Sequence, residues 1–218
     1  MKNKKNVIIA TSSGEGITGL FLELGADAVI YSENPDSISS GDFADKIQSM
    51  RAEHSVILPN TPLLIERAKE AASLIPNFLV DVLPTRSFAE GYAMLASMPS
   101  AEEEHTFGAQ FGANNSLVST IRTVDVVCLS ADGFYSNFAA ILDGEATFLA
   151  RSAEAVLLEA VESMVLPDHK ILTLIVGEAV SDTRRVFITE RLGEIYPGMQ
   201  IIVYIGGQKD AEYYITLR

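Results

Sequence analysis

Short apolar runs alternate with amphipathic stretches along the first 98 residues. The runs are rich in β-branched residues and predict strands at 7–10, 28–31, 56–58 and 78–83. Apolar residues at helical spacing predict helices at 17–24, 42–50, 63–74 and 88–97. Thr61-Pro62 predicts the start of the third helix, and a capping box at residues 87–90 predicts the start of the fourth. The strands are too apolar for strict alternation, as expected when helices cover both faces of a sheet. Four successive βα units therefore predict a doubly wound parallel sheet.

The rhythm changes near residue 98 and predicts a second domain. A capping box at residues 100–103 opens a polar helix of roughly a dozen residues that connects the two halves. The Asp143-Gly144 pair predicts a β-hairpin. Strands are predicted at 117–121, 124–129, 138–142, 146–149, 170–176, 199–205 and 213–217, and helices at 153–164 and 182–195. We expect a doubly wound α/β domain at 1–98 and a smaller α+β domain at 99–218, with the connecting helix at its start.

Composition excludes several classes of protein. The 218 residues include 16 basic and 29 acidic side chains, for a net charge of −13, without the basic run that nucleic-acid binding requires. The apolar runs are too short to span a membrane and no signal-peptide pattern is present, so we predict a cytoplasmic protein. A single cysteine, Cys128, rules out an internal disulfide, and three scattered histidines argue against a zinc site. We predict no metal site.

A glycine motif follows the first predicted strand. Residues 14–19 fit G-x-G-x-x-G, and Glu33 lies near the end of the second strand, where a ribose-binding acid would stand. Three residues separate the strand from the first glycine, and the carboxylate of Glu15 would lie beside a pyrophosphate. We therefore favour the alternative, in which the glycines form a tight turn and let the helix pack closely on the sheet.

Small polar residues follow the first, third and fourth predicted strands. Ligands of doubly wound sheets bind beyond the carboxyl ends of the strands, where helix N-termini and polar side chains suit a carboxylate or phosphate. Each residue alone is more readily explained as a helix cap or turn residue, and the Gly-Gly-Gln segment at 206–208 as a plain turn. No nucleophile and base are paired, so no catalytic residue is predicted. The candidate ligand-binding residues are Ser12, Ser13, Gly14, Glu15, Gly16, Asn60, Thr85, Arg86, Ser87, Gly206, Gly207 and Gln208.

Five segments together carry a family resemblance. They are residues 8–16 (IIATSSGEG), 22–30 (LELGADAVI), 56–60 (VILPN), 84–87 (PTRS) and 206–208 (GGQ). As a set, spanning roughly residues 6–218, they resemble the dihydroxyacetone-kinase-like proteins, and within them the C-terminal domain of the ATP-binding subunit of bacterial fatty acid kinase. The resemblance implies a fold similar to that of the DegV fatty-acid-binding proteins.

The resemblance also implies a function. In that family ATP and magnesium bind to a separate N-terminal domain and a middle domain completes phosphoryl transfer, so this chain is expected to hold no cofactor and not to be a kinase on its own. Its main expected role, in bacterial phospholipid metabolism, is a non-catalytic domain that docks the acyl-carrying DegV-type partner or regulates the kinase. The expected partners are that protein and the kinase's nucleotide-binding and middle domains.

Two other functions stay open from the sequence. One is a stand-alone fatty-acid or small-anion binding protein of DegV type, with Ser12, Ser13, Asn60, Thr85 and Arg86 at the head group. The other is a small-molecule enzyme that uses the same residues. The enzyme ranks last because no acid, base or nucleophile can be identified.

Overall fold

The computed structural model describes residues 6–98, 122–132 and 135–218. The chain divides into two compact units, residues 1–118 and 119–218. The domain boundary predicted between residues 98 and 99 adjoins undescribed residues and stays a prediction. The predicted connecting helix and the strand at 117–121 lie outside the described residues.

The first unit contains a parallel four-stranded sheet in the order β2-β1-β3-β4. Its strands are β1 (Asn6–Ser12), β2 (Ala28–Tyr31), β3 (His54–Leu58) and β4 (Leu79–Val82). Its helices are α1 (Glu15–Glu23), α2 (Ser40–Met50), α3 (Pro62–Leu74) and α4 (Phe88–Ala96), with a short 3-10 helix at Pro35–Ser37. The doubly wound α/β prediction is confirmed.

Both faces of the two central strands, β1 and β3, are buried. Val7 and Ile9 of β1 pack with Phe43 and Ile47 of α2 in one hydrophobic cluster, which α3 also joins. Alternate residues of a strand point to opposite faces, so Ile8 and Ala10 lie on the face of the sheet opposite to Val7 and Ile9. Helix α1 packs against β1 and β2. Burial on both faces explains why the two central strands are mostly apolar in sequence.

Side-chain caps fix where three helices of the first unit begin. The Ser39 hydroxyl and the Asp42 carboxylate form a reciprocal capping box on α2. Thr61 caps α3 ahead of Pro62, as the sequence predicted. Ser87 caps α4, but the predicted capping box there is incomplete. A complete box needs the Glu90 carboxylate to accept from the backbone N–H of Ser87, and it accepts from that of Arg86 instead, at 2.6 Å.

The second unit contains a six-stranded mixed sheet in the order β7-β6-β5-β10-β8-β9. The strands are β5 (Arg122–Asp132), β6 (Tyr135–Leu142), β7 (Glu145–Ala150), β8 (Ile171–Val176), β9 (Gln200–Ile205) and β10 (Tyr213–Leu217). The pair β8 and β9 is parallel, and the other described pairs are antiparallel. The helices are α5 (Ala153–Met164) and α6 (Asp182–Ile195).

The predicted hairpin joins β6 and β7. Asp143 and Gly144 have φ values of 51° and 85°, as a type I′ turn requires at both central positions. The core of the unit then forms from alternate residues of the strands, packed against one stripe of each helix. Its members include Val124, Val126, Leu172, Leu174, Tyr213 and Ile215, with Val156 and Leu157 of α5 and Ile188 and Leu192 of α6. None of the described helices has the length and apolar character that crossing a bilayer requires.

Candidate functional site

The strand order of the first unit defines where a ligand crevice would open. The connection from β1 leads outward to β2, whereas the connection from β3 leads to β4 on the other side. In such sheets ligands bind beyond the carboxyl ends of the two central strands, where the order reverses. Ser12 ends β1 and residues 13–14 follow it, while residues 59–60 follow β3, so both predicted segments lie at this switch point.

Asn60 joins three strand ends by hydrogen bonds. Its Nδ2 donates to the carbonyl of Thr11 at 2.9 Å, and its backbone N–H donates to Oγ1 of Thr85 at 3.1 Å. The Thr11 hydroxyl donates to the carbonyl of Pro59. Thr11, Ser12 and Asn60 are fully buried, and Thr85 is 4% exposed. These four residues form what we call the switch-point cluster.

Two hydroxyl groups of the cluster have different hydrogen-bonding capacities. Thr18 donates to the carbonyl of Gly14 at 3.1 Å, so in its 2.6 Å contact with Ser12 the Ser12 hydroxyl is the donor. The hydrogen of Ser12 is therefore used within the protein. Thr85 accepts from Asn60, which leaves its own hydrogen to donate to another acceptor. Sequence reasoning treated Ser12 and Thr85 alike, but the structure separates them.

The start of α1 offers backbone donors at the same place. Gly14 occupies the N-cap position in an extended conformation, with φ −142°, and has no side chain with which to cap the helix. The N–H groups of the first helical turn, which includes the exposed Glu15 and Gly16, have no partner within the helix. An anion binds favourably there because the helix dipole adds partial positive charge.

The other predicted residues of the first unit lie around this cluster. Ser13 is 1% exposed, whereas the Arg86 side chain is exposed after β4. The Ser87 hydroxyl accepts the Glu90 N–H at 3.2 Å as the cap of α4. Arg86 thus supplies a positive charge beside the segment that carries Thr85.

Gly206, Gly207 and Gln208 belong to the second unit. The N–H groups of Gly206 and Gly207 donate to the carbonyl of Val176, and Gly207 has a left-handed φ of 70°. Gln208 is fully buried, and its Nε2 donates to the carbonyl of Ile175 at 3.1 Å. This segment is thus bonded to the end of β8, and its predicted role in ligand binding stays a prediction.

The third glycine of the G-x-G-x-x-G motif has no packing role. A dinucleotide fingerprint needs this glycine for close contact between helix and strand. A Cβ built on Gly19 meets nothing within 4 Å, and the residue is exposed on α1. The match at Gly19 is therefore coincidental, which removes the main support for a dinucleotide site.

Replacing Gly19 with alanine is expected to stabilise the protein by about 1 kcal/mol, because glycine is a poor residue for a helix interior. Urea unfolding of the wild type and Gly19→Ala measures this difference. A loss of stability would mean that α1 packs closely at Gly19, as a dinucleotide fingerprint requires.

The second unit holds a buried charged cluster that the sequence analysis missed. Arg184 Nε lies 2.7 Å from Oε1 of Glu154, and its Nη1 lies 3.1 Å from Oε2 of Glu212. The hydroxyl of Tyr213 donates to Glu154 Oε1 at 2.8 Å. We call these four residues the Arg184 cluster. No sequence signal pointed to it, because its members come from α5, α6 and residues 212–213 at the entry to β10.

Electrostatics of the Arg184 cluster favour the charged form of the Glu154 carboxyl group. Burial alone would raise the pKa of Glu154, but hydrogen bonds from Arg184 and Tyr213 hold that pKa below its ordinary value. Burial and the neighbouring Glu154 carboxylate raise the pKa of Tyr213, so its phenol stays protonated. Over residues 6–98, 122–132 and 135–218, no group of three or more His, Cys, Asp or Glu side chains is arranged to hold a metal ion.

Comparisons of sequence identify relatives over the whole chain. A family model that describes the C-terminal region of FakA-like fatty acid kinase proteins matches residues 7–218. An uncharacterized protein of Staphylococcus aureus (strain USA300) is 26% identical over 229 residues, covering 100% of this chain and 40% of that protein. Protein YloV of Bacillus subtilis is 27% identical over 213 residues, covering 96% of this chain and 38% of YloV. The chain thus spans less than half the length of these relatives.

Comparisons of structure find DegV-family proteins. A DegV family protein from Thermus thermophilus, described as binding fatty acid, has a TM-score of 0.66 at 15% identity and covers 98% of this chain and 99% of its own. The Streptococcus pneumoniae fatty acid kinase (Fak) B3 protein, loaded with linoleic acid, has a TM-score of 0.66 at 11% identity and covers 97% and 98%. At these identities the likeness shows the fold.

These findings correct the assignment made from motifs. The interpretation of the chain as a C-terminal domain of the kinase's ATP-binding subunit is wrong, because DegV, a fatty acid binding protein from Bacillus subtilis, matches 99% of this chain with 100% of its own length, at a TM-score of 0.60. The similarity thus extends over entire DegV-family proteins. The chain is itself DegV-like in fold, and it belongs to the family defined by the C-terminal region of FakA-like fatty acid kinase proteins.

Proposed function

We propose that this protein binds a fatty acid and holds its carboxylate at the switch-point cluster. Thr85 and the first turn of α1 donate hydrogen bonds to the carboxylate, and Arg86 supplies the opposite charge. Ser12, Thr11 and Asn60 hold these donors in place. The proposed location of this binding protein is the cytoplasm.

The observation that carries the proposal is the chemistry of the switch-point cluster. Thr85 is 4% exposed, yet the hydrogen of its hydroxyl is not needed for the bond that it accepts from Asn60. Gly14, the N-cap residue of α1, has no side chain that could accept hydrogen bonds from the N–H groups of the first helical turn. A carboxylate satisfies both kinds of donor, because it is an acceptor with two oxygens.

Similarity to DegV-family structures supports an acyl chain rather than a small anion. The three structures compared above are each described as fatty-acid-binding or as loaded with a fatty acid. Burial of each CH₂ group contributes about 0.8 kcal/mol, so affinity for a fatty acid rises steeply with chain length. A site for a small anion would not distinguish octanoate from palmitate.

Native mass spectrometry of protein purified from a bacterial host, followed by denaturing lipid analysis, tests the proposed function. A co-purified fatty acid is the expected result. Competition of octanoate, laurate and palmitate against a fluorescent fatty acid then measures the dependence on chain length. An empty protein that binds all three acids equally weakly contradicts the proposal.

Replacing Arg86 with alanine is expected to weaken palmitate binding about tenfold, because a charge-assisted hydrogen bond is lost at a partly solvated position. Arg191→Ala is the control, since Arg191 lies on α6 in the second unit and pairs with Glu194 at the surface. Equal affinities of the wild type and Arg86→Ala for palmitate and for an acyl phosphate would remove the reason for placing the head group at this cluster.

A second proposal concerns partners, and it rests on the family description. We propose that the protein acts together with a fatty acid kinase, in contact with a DegV-type acyl carrier or with the nucleotide-binding and middle domains of the kinase. Size-exclusion chromatography of the protein mixed with a purified DegV-type carrier tests this association. Separate elution at micromolar concentrations of both proteins contradicts it.

A further inference from the structure

Gly91 lies against the side chain of Asn60. A Cβ built on Gly91 would lie 2.7 Å from Cγ and 2.8 Å from Nδ2 of Asn60, and still closer to its Oδ1. Real Cβ atoms do not approach other atoms so closely, so a larger residue at position 91 would displace the amide. The absence of a side chain at Gly91 therefore makes room for Asn60.

Asn60 has little freedom to move away. It is fully buried, its φ of 63° is left-handed, and its Nδ2 is bonded to the carbonyl of Thr11. Its Oδ1 is buried with no hydrogen-bond partner among the described residues, so the Nδ2 bond to Thr11 orients the amide. An asparagine tolerates the left-handed conformation better than most residues.

Helix α4 is fixed at its start, so Gly91 cannot retreat either. The Gly91 N–H donates to the carbonyl of Ser87 at 3.0 Å, and the Glu90 side chain bonds the N–H of Arg86. The first turn of α4 is thus bonded to the segment that presents Thr85 and Arg86. A shift of α4 would move this segment together with the helix.

We propose that Gly91 is a positioning residue for the head group, acting through Asn60. This inference rests on the proposed fatty-acid function. Asn60 donates its N–H to Thr85, so displacement of Asn60 releases the Thr85 hydroxyl from its orientation. A glycine in the second turn of a helix is unfavourable for helix stability, and contact with Asn60 supplies its packing reason.

A double-mutant cycle at positions 60 and 91 tests the proposal. Asn60→Gly accepts the left-handed φ and removes the side chain that a Cβ at position 91 would strike. Palmitate affinity is measured for the wild type, Gly91→Ala, Asn60→Gly and the double variant, and urea unfolding is measured for all four. Gly193→Ala is the matched control, because Gly193 also lies in a helix and a Cβ there meets nothing within 4 Å.

The expected result is a strong dependence on Asn60. Gly91→Ala weakens palmitate binding about tenfold in the wild type, but changes affinity less than about twofold when Asn60 is already glycine. Gly193→Ala leaves affinity unchanged. If Gly91→Ala does not fold, recovery of folding in the double variant supports the contact, and failure of both overturns it.

Other outcomes separate this inference from the proposed function. Equal losses of affinity with and without Asn60 overturn positioning through Asn60, even though palmitate binds. Unchanged affinity in Gly91→Ala overturns it as well. If the wild type binds no palmitate, the proposed function is overturned, and non-additive unfolding energies alone then support the coupling of Gly91 to Asn60, whereas additive energies overturn that coupling too.

Discussion

Replacing Arg184 with methionine is expected to lower the free energy of unfolding by about 3 kcal/mol. Arg184 contacts two carboxylates whose side chains are nearly buried, with 13% of Glu154 and 9% of Glu212 exposed. Removing one partner of a buried ion pair leaves a charge without compensation, which costs about 3–5 kcal/mol. Because a third of the Arg184 side chain reaches solvent, we expect the lower end of that range.

Urea unfolding at pH 7 measures this effect, with Arg191→Met as control. Arg191 pairs with Glu194 at 3.0 Å, but both side chains are largely exposed. Exposed pairs of this kind contribute less than about 1 kcal/mol. Similar losses in the two variants would contradict a special role for the Arg184 cluster.

The same cluster predicts how stability depends on pH. The pKa of Glu154 is depressed in the folded state, so its contribution is present above the unfolded value of 4.5 and is lost as pH falls through the folded pKa. Wild-type stability should therefore fall more steeply below pH 4.5 than that of Arg184→Met, whose Glu154 has lost the cation. Parallel pH profiles would contradict this assignment.

Replacing Gly177 with alanine is expected to destabilise the protein by about 3 kcal/mol. A Cβ on Gly177 would overlap the carbonyl oxygen of Ala211, and it would lie 3.0 Å from that of Gln208. These are backbone atoms, which cannot rotate away as the end of a flexible side chain can. The Gly177 N–H also donates to the carbonyl of Glu212 at 2.8 Å, which holds the two segments together.

Gly198→Ala is the control for this substitution. A Cβ on Gly198 meets nothing within 4 Å, so we expect a change within about 0.5 kcal/mol in urea unfolding. A Gly177→Ala protein as stable as this control would show that the segment at 208–211 can shift without cost.

Local signals in the sequence were sufficient for the fold class and for most of the described helices and strands. Asp143-Gly144 predicted its hairpin because only residues that tolerate positive φ form a type I′ turn. Thr61 and Pro62 predicted the start of α3 because capping involves only neighbouring residues. The 3-10 helix at Pro35–Ser37 was missed, since a single turn has no hydrophobic period.

The candidate site could be predicted in outline only. General rules for parallel sheets placed Ser12, Asn60 and Thr85 at one edge. Which hydroxyl keeps a free hydrogen depends on contacts between distant residues, such as Asn60 with Thr11 and Gly91, and single-sequence patterns do not contain these. The Arg184 cluster could not be predicted from the sequence for the same reason. Its charged residues look like ordinary surface residues until α5, α6 and β10 are packed.

The place of β10 in the second sheet has a consequence for folding. Tyr213–Leu217 comes after every other described strand of that sheet in sequence, yet it lies between β5 and β8 and all five of its residues are buried. A ribosome makes this strand after the other described strands of the sheet, so until then β5 and β8 both present unpaired edges. Pairings between distant segments form slowly, and exposed edges attract other chains. The nascent second unit is therefore exposed to aggregation until β10 has been made and paired.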